Sequence, residues 1–243
     1  MELDKWILEE FKDLQKDVLE HYESYSYHLV VQRIHNFCVN QLGGVYLDII
    51  KDRQYTTQQN SEIRRSAQTA MKLMIDQLVI LVAPILSFTA EEIWQNDADL
   101  KANKASVFLA ELDSIPDFDS NLDHESWSRL LEIKDSVNQK IEESRNAGEI
   151  KGSLDTNIEL TVNTSDFQLL NNLSTELHFF FIVSSCNLVQ GDDLEVRIKQ
   201  STFKKCTRCW HRNNSVSKSL KHPELCKRCE LNIDGAGEDR KFA

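Results

Sequence analysis

The sequence predicts a mainly α-helical protein, with an antiparallel helix bundle followed by a small α+β unit and a cysteine-rich module. Three observations support this prediction. Apolar residues recur every three or four positions in the amino-terminal part, as on the buried faces of amphipathic helices. After Gly148 the apolar period changes to two, which is typical of strands. Four of the six cysteines then fall between positions 206 and 229.

Residues 1–97 are predicted to form the helix bundle. One stripe of apolar residues is interrupted by Gly43 and Gly44, where two glycines, each costing about 1 kcal/mol relative to alanine, predict a kink or break. The next stripe should end before Pro84, which cannot continue the backbone hydrogen bonds of a helix. Thr89 and Glu92 have the spacing of a capping box and predict a short fourth helix. Four helices with short connections favour an antiparallel bundle.

The rest of the chain divides into three further segments. Residues 98–122 are rich in Asp and predict a connecting loop. Residues 123–200 should contain a helix that ends at Gly148, followed by a small α+β unit, and residues 201–243 the cysteine-rich module. Within the α+β unit we expect alternating strands near 158–162 and 194–198, a helix near 167–177 and a buried strand at 179–183.

The charge is distributed unevenly along the chain. The net charge of -11 argues against a partner made of phosphates. However, residues 1–196 carry a net charge of -18, whereas residues 197–229 carry +9. The cysteine-rich module is therefore the part suited to an anionic partner. The apolar runs are shorter than the roughly 20 residues that span a bilayer, and the amino terminus lacks the pattern of a secretory signal, so we expect a cytoplasmic protein without a membrane partner.

The cysteines follow the pattern Cys206-x2-Cys209-x16-Cys226-x2-Cys229. Two pairs of thiolates with this spacing can complete the tetrahedral sulfur shell that Zn²⁺ prefers, and a full shell leaves no open position for catalysis. The sequence therefore predicts one structural zinc ion. A disulfide pair and an iron–sulfur cluster are the alternatives; a reducing compartment argues against the first and the symmetric spacing against the second.

Cations and one indole surround the predicted metal ligands. Trp210 follows a ligand directly, and an indole among cations is suited to stack an unpaired base while its neighbours bind phosphate. The alternative is that Trp210 packs over the metal site and the charges are only solvated. The candidate nucleic-acid contacts in this module are Trp210, Lys205, Arg208, His211 and Arg212.

Several segments resemble the carboxyl-terminal portion of bacterial isoleucyl-tRNA synthetases, a class I aminoacyl-tRNA synthetase family. The resemblance is carried by residues 206–211, 222–229 and 237–243 near one end, and by residues 4–8, 46–53 and 83–94 in the predicted bundle. It implies an anticodon-binding helix bundle and a terminal zinc module that together grip the anticodon loop of isoleucine tRNA.

The resemblance also implies roles for particular residues. Trp210 would stack on a base, and Arg208 and Arg212 would contact bases or phosphates. The basic candidates on the bundle are Arg33, Lys51, Arg53, Arg64 and Arg65. The alternative for such residues is that they join helices through ion pairs, which are individually weak at a surface.

The two catalytic signature motifs of class I synthetases are missing from the sequence, as is a glycine-rich phosphate loop. We therefore expect a piece of a larger ligase that is not catalytic alone, with ATP used only by the missing catalytic domain. The expected partners are the anticodon stem-loop of isoleucine tRNA and the remainder of the synthetase, and we expect a monomer.

Two other functions remain open at this point. A DNA glycosylase of the formamidopyrimidine type shares the cysteine pattern, but such enzymes use an amino-terminal proline, whereas Glu2 is the second residue here. A free-standing tRNA-binding zinc module is the other alternative.

Overall fold

A computed structural model describes residues 1–243, apart from the side chain of Ser174. It confirms a mainly α fold with a small sheet and a cysteine cluster. Among the described residues, no helix combines the length and the apolar character needed to cross a membrane. The helices are α1 (Glu2–Glu23), α2 (Tyr27–Asn36), α3 (Leu47–Thr56), α4 (Glu62–Val82), α5 (Ser87–Asn96), α6 (Ala98–Asn103), α7 (His124–Asn146), α8 (Thr164–Asn171), α9 (Leu177–Phe180) and α10 (Lys227–Asp234); the strands are β1 (Thr156–Val162), β2 (Ser185–Gln190) and β3 (Glu195–Gln200).

The chain forms two compact units. The helical unit comprises Leu3–Asp48 and Arg65–Ser120, and the cysteine-bearing unit comprises Met1–Glu2, Ile49–Arg64 and Asn121–Ala243. Most of α3 therefore belongs to the same compact unit as the clustered cysteines, although the two are far apart in the sequence. The division into residues 1–97, 98–122, 123–200 and 201–243 remains a prediction about domains.

The helical unit is held together by the apolar stripe of α1 and by one buried carboxylate. Phe11 is fully buried and meets Phe37 edge to face, with ring centroids 5.6 Å apart. Asp4 accepts hydrogen bonds from the Tyr46 hydroxyl at 2.7 Å and from the Ser66 hydroxyl at 2.5 Å. A buried carboxylate with these partners avoids the desolvation cost of an unpaired polar group.

Of the kink or break expected at Gly43 and Gly44, the break is wrong. Residues Phe37–Tyr46 instead continue from α2 to α3 as a π-helical segment. A Cβ atom at Gly43 would lie 2.9 Å from the carbonyl oxygen of Cys38, five residues earlier, and one at Gly44 would lie 3.1 Å from that of Val39. The two glycines therefore provide room for a wider helical turn instead of ending the helix.

The predicted capping box at Thr89 is also wrong, because α5 begins at Ser87. Glu91, the residue before the predicted capping carboxylate Glu92, accepts hydrogen bonds from the Ser106 hydroxyl at 2.8 Å and the Val107 amide at 3.0 Å. The predicted loop 98–122 likewise contains α6, which the side chain of Asp97 caps through two backbone amides.

The sheet has the order β2-β1-β3, with β1 parallel to β2 and antiparallel to β3. The alternating burial of β1 confirms the strand predicted near 158–162. The predicted helix end at Gly148 is confirmed as well, because this glycine has a φ of +75° just after α7. The predicted strand at 179–183 is wrong: α9 occupies the start of this apolar run, and β2 begins only at Ser185.

Candidate metal centre and nucleic-acid interface

The four predicted ligands form one buried cluster. The sulfur atoms of Cys206, Cys209, Cys226 and Cys229 all lie within 4.8 Å of one another. Cys209 and Cys226 have their sulfur atoms 3.7 Å apart. None of these four cysteines is joined in a disulfide bond.

The first pair of cysteines lies on a tight hairpin. The Cys206 amide donates to the His211 carbonyl at 2.9 Å, and the Trp210 amide donates to the Cys206 carbonyl at 3.0 Å. An isolated antiparallel bridge joins Lys205 to Arg212 at the base of the hairpin. Trp210 adopts a φ of +67°, a left-handed conformation that closes the turn.

The second pair lies at the start of α10. Cys226 occupies the N-cap position of this helix, and its amide donates to the sulfur of Cys206 at 3.3 Å. The positive end of the helix dipole and the amide both favour thiolates at this place. Val216 and Leu225 are buried against the four cysteines and form the small apolar core of the module.

These observations fit a zinc ion. With zinc–sulfur bonds of about 2.3 Å, a tetrahedral site has sulfur atoms roughly 3.8 Å apart, close to the separation of Cys209 and Cys226. Four thiolates complete the shell, so that the ion would be structural. When bound, zinc would neutralise part of the thiolate charge and fix both cysteine turns.

Trp210 is exposed at the tip of the first hairpin. The residue is 59 % exposed, which favours a role in binding over the alternative that Trp210 only packs over the metal site. The ammonium group of Lys205 lies 5.3 Å from the centre of the indole. A cation at this distance can interact with the π-electrons of the ring, and it leaves another part of the ring open to solvent.

The other candidate contacts in the module differ in accessibility. Arg208 is exposed, and its Nη2 lies 3.3 Å from the carbonyl oxygen of Tyr55. Arg212 is half-buried and donates to Asp155 at 2.6 Å and to the Phe203 carbonyl at 3.0 Å. His211 is buried, with Nδ1 3.1 Å from the Cys209 carbonyl. The side chains of Arg212 and His211 are therefore less accessible to a ligand than those of Trp210 and Arg208.

The basic candidates on the bundle also differ in their accessibility and ion pairing. Arg53 is completely buried, which corrects its assignment as a tRNA contact, since a ligand cannot reach it in this conformation. Arg33 pairs with Asp17 at 2.7 Å. Lys51 and Arg65 are exposed, and Arg64 is half-buried.

The sequence did not predict a buried cluster of ionised groups that lies beside the cysteines. Arg228 donates through two nitrogens to Asp52, each at 2.8 Å, and Arg240 also donates to Asp52. Glu238 accepts from Arg228 at 3.1 Å and from Arg240 at 3.0 Å. The guanidinium of Arg240 lies 3.5 Å from the ring centre of Phe179. We call Asp52, Arg228, Glu238 and Arg240 the arginine–carboxylate cluster.

Electrostatics in this cluster favours the charged forms of both carboxyl groups. Burial would raise the pKa of Asp52, but the charges and hydrogen bonds of Arg228 and Arg240 outweigh it and hold the pKa well below its usual range. The pKa of Glu238 is lowered in the same way, because the two arginines outweigh its burial. Nearby, burial and the surrounding positive charges lower the pKa of His178 to about 3.

Comparison with known proteins shows to which family the chain belongs. A model described as the anticodon-binding domain of tRNA ligase matches residues 4–160, well over half of the chain. The chain belongs to this family of anticodon-binding domains. A second model, described as a zinc finger found in FPG and IleRS, matches residues 203–232 and includes all four clustered cysteines. Together with the sulfur geometry, this match identifies the cysteine cluster as a structural zinc site.

Curated relatives agree with the family models. The chain is similar to isoleucine–tRNA ligases of Saccharophagus degradans (42 % identity), Ruthia magnifica (43 %) and Legionella pneumophila strain Paris (41 %). In each case the similarity covers 100 % of this chain and 27 % of the relative. The chain therefore spans about a quarter of the length of these ligases. The glycosylase alternative shares only the zinc finger, whereas the anticodon-binding match covers much of the remaining sequence.

Proposed function

We propose that this chain is the tRNA-recognition portion of an isoleucine–tRNA ligase and that it binds the anticodon loop of isoleucine tRNA. The observation that carries the proposal is the exposed indole of Trp210 on a hairpin held by four clustered cysteines. The names of the relatives support isoleucine tRNA as the ligand. The remainder of the ligase would be the protein partner and would carry the ATP-dependent chemistry, and we expect the chain to act as a monomer.

The zinc hairpin is suited to hold an unpaired base. Because the backbone of the hairpin is fixed by hydrogen bonds between Cys206, Trp210 and His211, the indole is positioned before RNA arrives. Stacking on such a ring does not depend on the base, while Lys205 and Arg208 supply positive charge for the adjoining phosphates. Arg212 and His211 would then support the hairpin from within.

The helices would add contacts to the RNA backbone. Lys51 and Arg65 are the predicted contacts whose side chains are exposed, and Arg64 is half-buried. Arg33 forms an ion pair with Asp17, and this pair would compete with binding of a phosphate. We therefore expect Arg65, which is exposed, to contribute more to tRNA affinity than Arg33, and Lys51 stays a predicted contact.

The direct test replaces Trp210 with alanine and measures the affinity for an anticodon stem-loop RNA of isoleucine tRNA. Loss of one stacked base should weaken binding by about 1 to 3 kcal/mol. Leu220→Ala is the matched control, because Leu220 is a fully exposed apolar side chain of the same zinc module. Equal affinities of wild type and Trp210→Ala would contradict the stacking role.

A further inference from the structure

We propose that Tyr55 is a second base-stacking side chain, which accepts the nucleotide next to the one stacked on Trp210, with Arg208 binding the phosphate between them. The inference deepens the proposed function and rests on it. Tyr55 was not among the residues that the sequence indicated, because it lies about 150 positions away from the zinc hairpin.

Tyr55 combines an exposed ring with a fixed backbone. Its side chain is 77 % exposed near the end of α3, whereas its neighbours Arg53 and Thr56 are buried. The Thr56 hydroxyl also donates to the Asp52 carbonyl at 2.7 Å. The last turn of α3 is thus anchored on both sides of Tyr55, so that presenting its ring to a ligand costs little conformational entropy.

Arg208 connects Tyr55 with the zinc hairpin. Its Nη2 lies 3.3 Å from the carbonyl oxygen of Tyr55 and 3.4 Å from that of Thr56, where the carbonyl groups at the end of α3 carry the negative end of the helix dipole. Arg208 is also only two residues from Trp210. Both exposed aromatic residues therefore lie close to Arg208 within the cysteine-bearing unit, Tyr55 through its main-chain carbonyl and Trp210 two positions along the chain.

The chemistry of this arrangement matches single-stranded RNA. A guanidinium has five N–H donors in a planar fork, and the carbonyl contacts of Arg208 are made through one nitrogen, so that the other donors can bind phosphate oxygens. Aromatic rings on either side of a bound phosphate can stack two consecutive unpaired bases. Thr56 also receives a hydrogen bond from Arg228, which ties this end of α3 to the second cysteine pair.

The test uses the whole chain with bound zinc and three variants. Tyr55→Ala removes the ring, Tyr55→Phe keeps it, and Tyr25→Ala removes a tyrosine of similar exposure, 79 %, from the helical unit. Each is titrated with isoleucine anticodon stem-loop RNA at several salt concentrations. Zinc content and helical circular dichroism verify that the variants fold.

We expect Tyr55→Ala to weaken binding about 5- to 150-fold, and Tyr55→Phe and Tyr25→Ala to remain within about twofold of wild type. The slope of log affinity against log salt should not change in Tyr55→Ala, because no phosphate contact is lost. Stem-loops with 2-aminopurine at single loop positions should show fluorescence quenching at one position that depends on Tyr55 and at an adjacent one that depends on Trp210.

The outcomes separate this inference from the proposed function. If Trp210→Ala weakens binding and Tyr55→Ala does not, the role of Tyr55 is wrong while the proposed function stands. Equal weakening by Tyr55→Ala and Tyr25→Ala would also overturn it. If the wild-type chain does not bind the stem-loop at all, the proposed function itself fails.

Discussion

Trp210 is the residue at which stability and function are expected to oppose each other. A left-handed backbone conformation costs a residue with a Cβ atom about 1 kcal/mol, and glycine would fit the φ of +67° without that cost. The chain nevertheless has a large indole here and exposes it. Strain at an exposed aromatic residue is consistent with a binding role.

Replacing Trp210 with glycine should therefore separate the two properties. We expect Trp210→Gly to unfold in urea with a free energy about 1 kcal/mol higher than Trp210→Ala, because glycine tolerates the left-handed conformation. Both variants should lose RNA affinity to the same extent, since both lack the indole. An alanine variant as stable as the glycine variant would show that the turn is not strained.

At the scale of elements, the arginine–carboxylate cluster joins α3 to the zinc module and to residues 238–240. Asp52 is the shared acceptor of Arg228 and Arg240, and the side chain of Arg240 is nearly inaccessible to solvent. Removing one partner of a buried ion pair leaves an uncompensated charge. The cluster should thus hold the end of α3, and with it Tyr55, in place.

Asp52→Ala is expected to destabilise the cysteine-bearing unit by about 3 to 5 kcal/mol in urea unfolding. Lys140→Ala is the matched control, because Lys140 and Glu143 form an exposed ion pair within α7, and its loss should cost less than about 0.5 kcal/mol. Comparable effects of the two substitutions would show that the cluster does not stabilise the unit.

Wild type and Asp52→Ala should differ in their free energy of unfolding, and the pH dependence of this difference follows from the lowered pKa of Asp52. A carboxylate whose pKa is lower in the folded than in the unfolded state stabilises the fold above its unfolded pKa, near 3.9, and loses that contribution as the pH falls toward the folded value. The difference between wild type and Asp52→Ala should therefore be constant from pH 8 to about pH 5. A difference that already declines between pH 8 and pH 6 would contradict the assignment.

Periodicity predicted the long helices and the strand β1, but it failed where two structures fit one pattern. The apolar run at 179–183 suits a buried strand and a helix equally well, and a short helix precedes the turn into β2. Gly43 and Gly44 indicated an unusual backbone correctly but not its kind. These residues form the wide turns of a π-helical segment, and the spacing of apolar residues does not indicate such turns.

At the scale of the whole molecule, the zinc ligands were predictable because they are close in sequence, whereas their surroundings were not. Asp52 lies 176 residues from Arg228 and 188 from Arg240, so that no spacing rule relates them. The same holds for Tyr55 and Arg208. Arg53 was misassigned because a cation in a helical segment does not reveal from sequence alone whether it is buried.

Removing zinc tests how far the metal stabilises each unit. The small core around Val216 and Leu225 depends on the four cysteines, so we expect a chelator to unfold the zinc module and release the end of α3. The helical unit has its own core, including Phe11 and Phe37, and should retain its helical circular dichroism. Loss of nearly all helical signal on chelation would contradict this prediction.

The most direct test of the whole account is a competition between two RNA hairpins for the zinc-loaded chain. One hairpin carries the anticodon loop of isoleucine tRNA, and the other has the same stem with the anticodon bases replaced. We predict that the first binds at least about fivefold more tightly, and that both bind more weakly as salt rises, because base contacts specify and phosphate contacts add affinity. Equal affinities for the two hairpins, or no saturable binding of either, would contradict anticodon recognition by this chain.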